Sequence, residues 1–173
     1  MKKVGFVSLG CPKNLVDSEV MMGTLQQAGW EITNNAEEAD TVVVNTCGFI
    51  ESAKQESIDA ILEATTLKSE GKAKRVVVAG CLVERYRDDL MKELPEVDAF
   101  IGTNEVARIL DAADSEVNFR ELPLLPIGNK TATYLYDFDT PRFRATESHT
   151  AFIKIAEGCD RPCAFCSIPG MRG

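Results

Sequence analysis

Thr41-Val42-Val43-Val44-Asn45-Thr46-Cys47-Gly48 is the stretch on which the fold turns. Its first six residues are β-branched almost throughout, with no alternation of polar and apolar positions, as a central strand buried on both faces requires. Two further runs share its design. Val4–Leu9 is apolar and runs into Gly10-Cys11-Pro12, and Lys74–Ala79 (KRVVVA) runs into Gly80-Cys81. Trp30–Thr33 and Asp98–Ile101 read as two shorter strands.

The intervals between these runs carry helical spacing. Leu15, Met22 and Leu25 share one face of a first helix, with Asn14 as its expected N-cap. Ile50, Ala53, Ile58, Ile61 and Leu62 mark a second, amphipathic helix. Leu82, Tyr86, Leu90 and Leu94 follow at intervals of four, and Val106–Ala112 forms a last helix. Parallel neighbours need crossover connections, so five strands alternating with helices predict an α/β fold: a five-stranded parallel, doubly wound (flavodoxin-like) sheet over residues 1–113. Residues 114–149 contain Pro123, Pro126 and Pro141, lack periodicity and read as a linker with some strand. Thr150–Ala156 (TAFIKIA) is expected to be a new strand that opens a second domain over 150–173.

The chain has 173 residues, 45% hydrophobic and 27% charged, enough for one well-cored domain and little more. No apolar run is long enough to span a bilayer. The N-terminus has no signal-peptide core, so a cytoplasmic location is expected. A net charge of −8 repels a phosphate backbone, and this segment is not expected to grip nucleic acid directly. There is neither a P-loop nor a G-x-G-x-x-G fingerprint, so the flavodoxin-like pattern does not by itself imply nucleotide binding.

Six cysteines in such a chain point to a metal, a cluster or catalysis rather than to disulfides, the bland alternative being inert buried thiols. Cys11, Cys47 and Cys81 each follow the carboxyl end of a predicted strand (the first, third and fourth) and each has a glycine beside it: Gly10, Gly48 and Gly80. In the strand order 2-1-3-4-5 those three strands are neighbours, and ligands of such sheets bind outside the carboxyl ends. The three thiols are therefore expected to converge on one metal site, the glycines letting backbone amides approach it. Three cysteines at βα turns by coincidence is the alternative.

The second set is Cys159, Cys163 and Cys166, in a C-x3-C-x2-C pattern. Three thiolates can hold three irons of a 4Fe–4S cube and leave the fourth iron open, free to chelate S-adenosylmethionine. Ala164 and Phe165 are expected to exclude water there. Zinc, or a disulfide with a spare thiol, remains the alternative. Zinc sites usually close with four ligands, and His149, the nearest extra candidate, reads as a linker residue. Trp30, Met21 and Met22 are expected in the core, and Glu37-Glu38-Ala39-Asp40 at a solvated helix end.

The pattern Cys159–Cys166 resembles the radical-SAM signature. With the preceding α/β domain and Cys11, Cys47 and Cys81, the chain is similar to the methylthiotransferase branch of that superfamily. The run Ser8-Leu9-Gly10-Cys11-Pro12-Lys13-Asn14-Leu15-Val16-Asp17-Ser18-Glu19 resembles the opening of the members that modify an aspartate of a small-subunit ribosomal protein. The tRNA-modifying members tend to carry Gln-Met where Pro12-Lys13 stands. Cys166-Ser167-Ile168-Pro169 and Arg172-Gly173 resemble the family's continuation.

The resemblance implies two 4Fe–4S clusters and S-adenosylmethionine as cofactors. The Cys159/Cys163/Cys166 cluster would cleave S-adenosylmethionine to a 5′-deoxyadenosyl radical, which takes hydrogen from the β-carbon of the target aspartate. The Cys11/Cys47/Cys81 cluster would hold or deliver the sulfur, which a second S-adenosylmethionine methylates. No acid–base side chain is assigned, and Arg172 is assigned no role. The implied partners are a small-subunit ribosomal protein as substrate and an electron donor such as a flavodoxin, with no membrane. The family continues with a radical-SAM barrel and a C-terminal substrate-binding domain that are absent here, so the chain is expected to be an incomplete segment, inactive alone. The competing functions are tRNA adenosine methylthiolation, a non-catalytic iron–sulfur scaffold or electron-transfer module, and a zinc-bound structural protein.

Overall fold

A computed structural model describes residues 1–123, 136–161 and 163–173. Five parallel strands form one sheet: β1 (Lys3–Ser8), β2 (Glu31–Thr33), β3 (Thr41–Thr46), β4 (Arg75–Gly80) and β5 (Ala99–Ile101), in the order β2-β1-β3-β4-β5. The order is the doubly wound one that the sequence predicts. β3 is buried at every position and pairs in register with both neighbours, Val43 opposite Phe6 on β1 and Val77 on β4.

Alternation of side chains along the strands divides the core into two layers. Val43, Val77 and Ile101 face one layer with Val20, Met21 and Leu25 of α1 (Pro12–Gln27). Ile109 and Ala112 of α4 (Ile109–Ala113) complete it. Val42, Val44, Val76 and Val78 face the other, against α2 (Glu51–Ser69) and α3 (Cys81–Glu93). Full burial of each such valine contributes roughly 1.5–3 kcal/mol. This is the physical reason for a β-branched strand without alternation: both faces are dry.

Several local expectations give way to packing. Asn14 is not the N-cap of α1. Cys11 holds that position, because Pro12 takes the first helical turn, where its missing N–H costs nothing. Leu15 is only half-buried, whereas Asp17, Ser18 and Glu19 are buried. Ile50 and Leu62 of the predicted apolar face of α2 are 55% and 48% exposed, and Ile61 and Ala64 carry the contact with the sheet. The predicted last helix is split into a 3-10 turn, Val106–Arg108, and α4.

Ala36–Glu38 is likewise a 3-10 turn rather than a helix end. Just after it Ala39 is buried, and Asp40 accepts bonds from the Lys3 amide at 2.8 Å and the Lys74 ammonium at 2.6 Å. Met21 and Met22 are buried, and Trp30 packs at the edge of the core with Lys2 over its ring.

Residues 150–156 form no strand. Among the described residues no neighbouring strand is placed beside them, and Ile153 and Ile155 are 83% and 94% exposed. A strand's backbone groups need a partner, and one strand with its loop supplies none. Part of the predicted linker, with Pro126, lies outside the described residues. Its remainder, from Tyr136 onward, runs against α1. The crossing is close at Gly23, where an added Cβ would come within 2.5 Å of the Arg142 nitrogen. The chain ends in α5 (Ile168–Arg172), which packs near α3. Among the described residues no helix is long and apolar enough to cross a membrane.

Candidate metal centre at the carboxyl edge of the sheet

Cys11, Cys47 and Cys81 come from three turns far apart in sequence and line one cavity of about 620 Å³ at the carboxyl ends of β1, β3 and β4. The remaining wall is largely apolar, with Phe49, Ile50 and Ala53 on one side and Ile168 and Met171 of α5 on the other. Cys11 is exposed, Cys47 half-buried and Cys81 buried, so the triad runs from the mouth of the cavity inward.

Each thiol has a local reason for its place. Cys11 caps α1. Cys47 is pinned through its backbone by Ser57, whose hydroxyl accepts from the Cys47 N–H at 3.0 Å and donates to its carbonyl at 2.9 Å. Its side chain lies against Gly10, where an added Cβ would sit 2.8 Å from the Cys47 Cβ and 3.2 Å from Sγ. Cys81 opens α3 directly after Gly80, which adopts φ +98°.

Beneath the thiols lies a buried polar floor. The Asn14 amide donates to the carbonyls of Leu9 (3.0 Å) and Thr46 (2.8 Å), tying the ends of β1 and β3 to α1. Asn45 donates to the Asn14 carbonyl at 2.8 Å and the Ser18 hydroxyl at 2.9 Å. The Asn14 carbonyl oxygen of the side chain faces the Cys81 sulfur at 3.7 Å. Burial pushes the Cys81 thiol up to about 11, and this outweighs the Arg172 guanidinium nearby, which draws it down. In the metal-free chain Cys81 is therefore a neutral thiol at pH 7, and a metal must displace its proton to bind.

Three thiols around one largely apolar cavity are a donor set that suits an iron–sulfur cluster. One tetrahedral zinc with Zn–S bonds of about 2.3 Å requires thiolates roughly 3.8 Å apart. Among the described residues no group of three His, Cys, Asp or Glu side chains is close enough to hold one ion. A cluster spreads its thiolates over separate irons, and a cavity walled by apolar side chains suits it. All six cysteines are free of disulfides.

Cys159, Cys163 and Cys166 share one loop. The Cys166 amide bonds to the Cys163 carbonyl at 3.1 Å, and the Cys159 amide to the Gly173 carbonyl at 3.0 Å. Cys159 and Cys163 are exposed and Cys166 is half-buried. The donor set suits a three-thiolate cluster, but the loop is open. Phe165, expected to exclude water, is instead 94% exposed, and Ala164 is exposed with it, because nothing among the described residues covers the loop. His149 is exposed, 3.6 Å from Glu147.

Sequence reasoning missed Arg172, Asp17 and Glu157. All three are buried, and Arg172 Nη1 donates to Asp17 at 2.6 Å and Glu157 at 2.7 Å, while Nη2 donates to the Asn14 side chain. Burial works against the Arg172 charge, but the Asp17 and Glu157 carboxylates more than offset it and hold the guanidinium protonated. One signal was present. Asp17-Ser18-Glu19 interrupts the apolar run Val16, Val20, Met21 and Met22, and three polar residues on an otherwise buried helix need partners.

A family model described as "Uncharacterized protein family UPF0004" matches residues 3–102. Over 99% of its length the chain is 56% identical to a protein of Solibacter usitatus named "Ribosomal protein uS12 methylthiotransferase RimO", covering 35% of that relative. Proteins of the same name from Bdellovibrio bacteriovorus and Caldicellulosiruptor saccharolyticus are 53% and 52% identical over 99% and 100% of the chain, covering 37% and 39% of the relatives. The chain thus spans less than two fifths of the length of these relatives. The chain therefore belongs to the UPF0004 family, and it is similar to the N-terminal part of the proteins named as uS12 methylthiotransferases.

Proposed function

We propose that this chain serves the methylthiolation of the β-carbon of an aspartate in ribosomal protein uS12. Two 4Fe–4S clusters would be held, one by Cys11, Cys47 and Cys81 and one by Cys159, Cys163 and Cys166, the latter also binding S-adenosylmethionine. The observation that carries the reading is the convergence of three sequence-distant thiols on one apolar cavity. The relatives' name and the Pro12-Lys13 pair support uS12 over tRNA as the substrate. When bound, the clusters supply radical generation and the sulfur, and an electron donor such as a flavodoxin supplies the electron.

The chain's own residues have simpler tasks. Ser57 and Gly10 fix Cys47, Gly80 turns Cys81 into the cavity, and Phe49, Ile50 and Met171 keep water from it. The proposed division is residues 1–113 as the first cluster unit, 114–149 as its connection, and 150–173 as the start of a barrel. The proposed setting is the cytoplasm, without direct nucleic-acid binding by this segment.

The test is anaerobic reconstitution with iron and sulfide, counting both per chain. Replacing either cysteine triad by alanine is expected to remove about half of each. Unchanged counts after loss of Cys11, Cys47 and Cys81 overturn the reading. A protein extended to the relatives' length, offered uS12 and tRNA in parallel, decides the substrate.

A further inference from the structure

A buried ionic cluster lies between the two cysteine sites. Asp17, on α1, is 4% exposed at its side chain and receives three donors from the C-terminal segment. They are the Tyr136 hydroxyl, the Lys154 ammonium at 2.8 Å and Arg172 Nη1 at 2.6 Å. Glu157 shares two of these cations, taking Arg172 at 2.7 Å and Lys154 through its other oxygen. Two carboxylates and two cations leave the group neutral. That is the condition under which charges can be held away from water at all.

The cluster touches both cysteine sets. Arg172 and the Asn14 side chain are hydrogen-bonded, both line the cavity of the first set, and Asn14 faces the Cys81 sulfur. On the other side, Glu157 precedes Cys159 by two residues. The Cys159 amide is bonded to the carbonyl of Gly173, the residue after Arg172. Lys13, two residues from Cys11, donates to the Glu157 carbonyl at 2.6 Å. These contacts hold the loop together with α5, which packs near α3 and whose Met171 carbonyl accepts from the Thr103 hydroxyl at 2.7 Å.

We propose that Asp17 is a positioning residue: by gathering Arg172, Lys154 and Tyr136 it docks the loop of Cys159, Cys163 and Cys166 against the cavity of Cys11, Cys47 and Cys81 and so sets the separation of the two centres. This rests on the two-cluster reading. It adds a residue that touches neither cluster and governs their distance.

Asp17→Asn keeps the shape and removes the charge that balances the two cations. In the reconstituted chain, iron per chain is expected to stay at the wild-type value. Peptides covering residues 150–173 are expected to exchange amide hydrogens at least about tenfold faster, with β3 and β4 still protected. On reduction, wild type is expected to show the mutual broadening of two nearby paramagnetic clusters, and the variant two independent spectra. A weakened fold alone would not produce that change at unchanged iron content.

Should Asp17→Asn fail to fold, Lys154→Met removes one of the three donors and should give the same loss in smaller measure. Wild-type exchange rates and unchanged spectral coupling in the variant overturn the proposal. Failure of the wild-type chain to bind iron sinks the two-cluster reading instead, and the exchange comparison on the metal-free chain still decides whether Asp17 docks the loop.

Discussion

Replacing Gly80 by alanine tests why the site has its shape. Gly80 sits at φ +98° and ψ −158°, a region essentially closed to residues with a Cβ. Forcing alanine there costs about 1–3 kcal/mol. The new Cβ would also lie 2.4 Å from Asn45 Oδ1 and 2.5 Å from the Thr46 carbonyl oxygen. Neither can withdraw freely. Asn45 and Thr46 are buried, the Asn45 amide donates to the Asn14 carbonyl and Ser18, and the Thr46 carbonyl accepts from the Asn14 side chain. Relief by moving the backbone adds about 1–3 kcal/mol, for a total of about 4 kcal/mol.

With a urea m-value of about 2 kcal/mol/M, the unfolding midpoint should drop by about 2 M. Gly71→Ala is the internal control. It too has positive φ, +75°, but nothing lies within 4 Å of its added Cβ, so it should lose only the backbone contribution of about 1–2 kcal/mol. Equal losses in the two variants, or less than about 1 kcal/mol for Gly80→Ala, would refute the claim that this turn admits only glycine.

Two other outcomes follow from local electrostatics. Cys81, pushed up to about 11 by burial and only partly drawn back by Arg172, should be alkylated by iodoacetamide at pH 8 about 100-fold more slowly than an ordinary exposed thiol. Quantifying labelled peptides by mass spectrometry checks this, and Cys81 reacting as fast as the exposed Cys159 would contradict it. The Lys74 ammonium, followed by the Lys3 amide, holds the Asp40 carboxyl below the usual carboxylate range. A depressed folded pKa stabilises above the unfolded value of about 3.9 and is lost as pH falls through the folded value. Asp40→Asn should therefore cost about 1 kcal/mol at pH 7 in urea titrations and progressively less as the pH falls below about 4, and a cost independent of pH would exclude the ion pair as the cause.

The strands were legible because their signal is local and strong. TVVVNT and RVVVAG need burial on both faces, and a parallel sheet is the arrangement that provides it. The convergence of Cys11, Cys47 and Cys81 followed from strand order, since neighbouring parallel strands end on one edge. Asn14 was misread as a cap because asparagine before an apolar run usually is one. Here Pro12 starts the helix earlier and frees the Asn14 amide to join two strand ends. The strand expected at Thr150–Ala156 depends on partners that local composition cannot supply. Arg172 was invisible for a similar reason, since two of its three side-chain partners, Asp17 and Asn14, lie more than 150 positions away.

The burial of Asp17, Ser18 and Glu19 together says what kind of helix α1 is. Successive helical residues point about 100° apart, so three buried in a row leave no broad solvent face. Ser18 turns to the sheet, bonding Ser8 at 2.8 Å and Asn45 at 2.9 Å. Asp17 and Glu19 turn outward. In an ordinary outer-layer helix such residues would be solvated, but here they meet the C-terminal segment. Glu19 takes both Arg142 Nε, at 2.7 Å, and Nη2, while its second oxygen takes the Ala145 amide at 2.9 Å and its carbonyl the Phe143 amide at 2.8 Å. The covering segment answers each acid with a cation: Arg142 for Glu19, Lys154 and Arg172 for Asp17. A purely apolar seam could slide by a helical turn and keep most of its burial. Directed, charge-matched bonds fix the register of the segment along α1, and with it the place of the second cysteine loop relative to the first cavity.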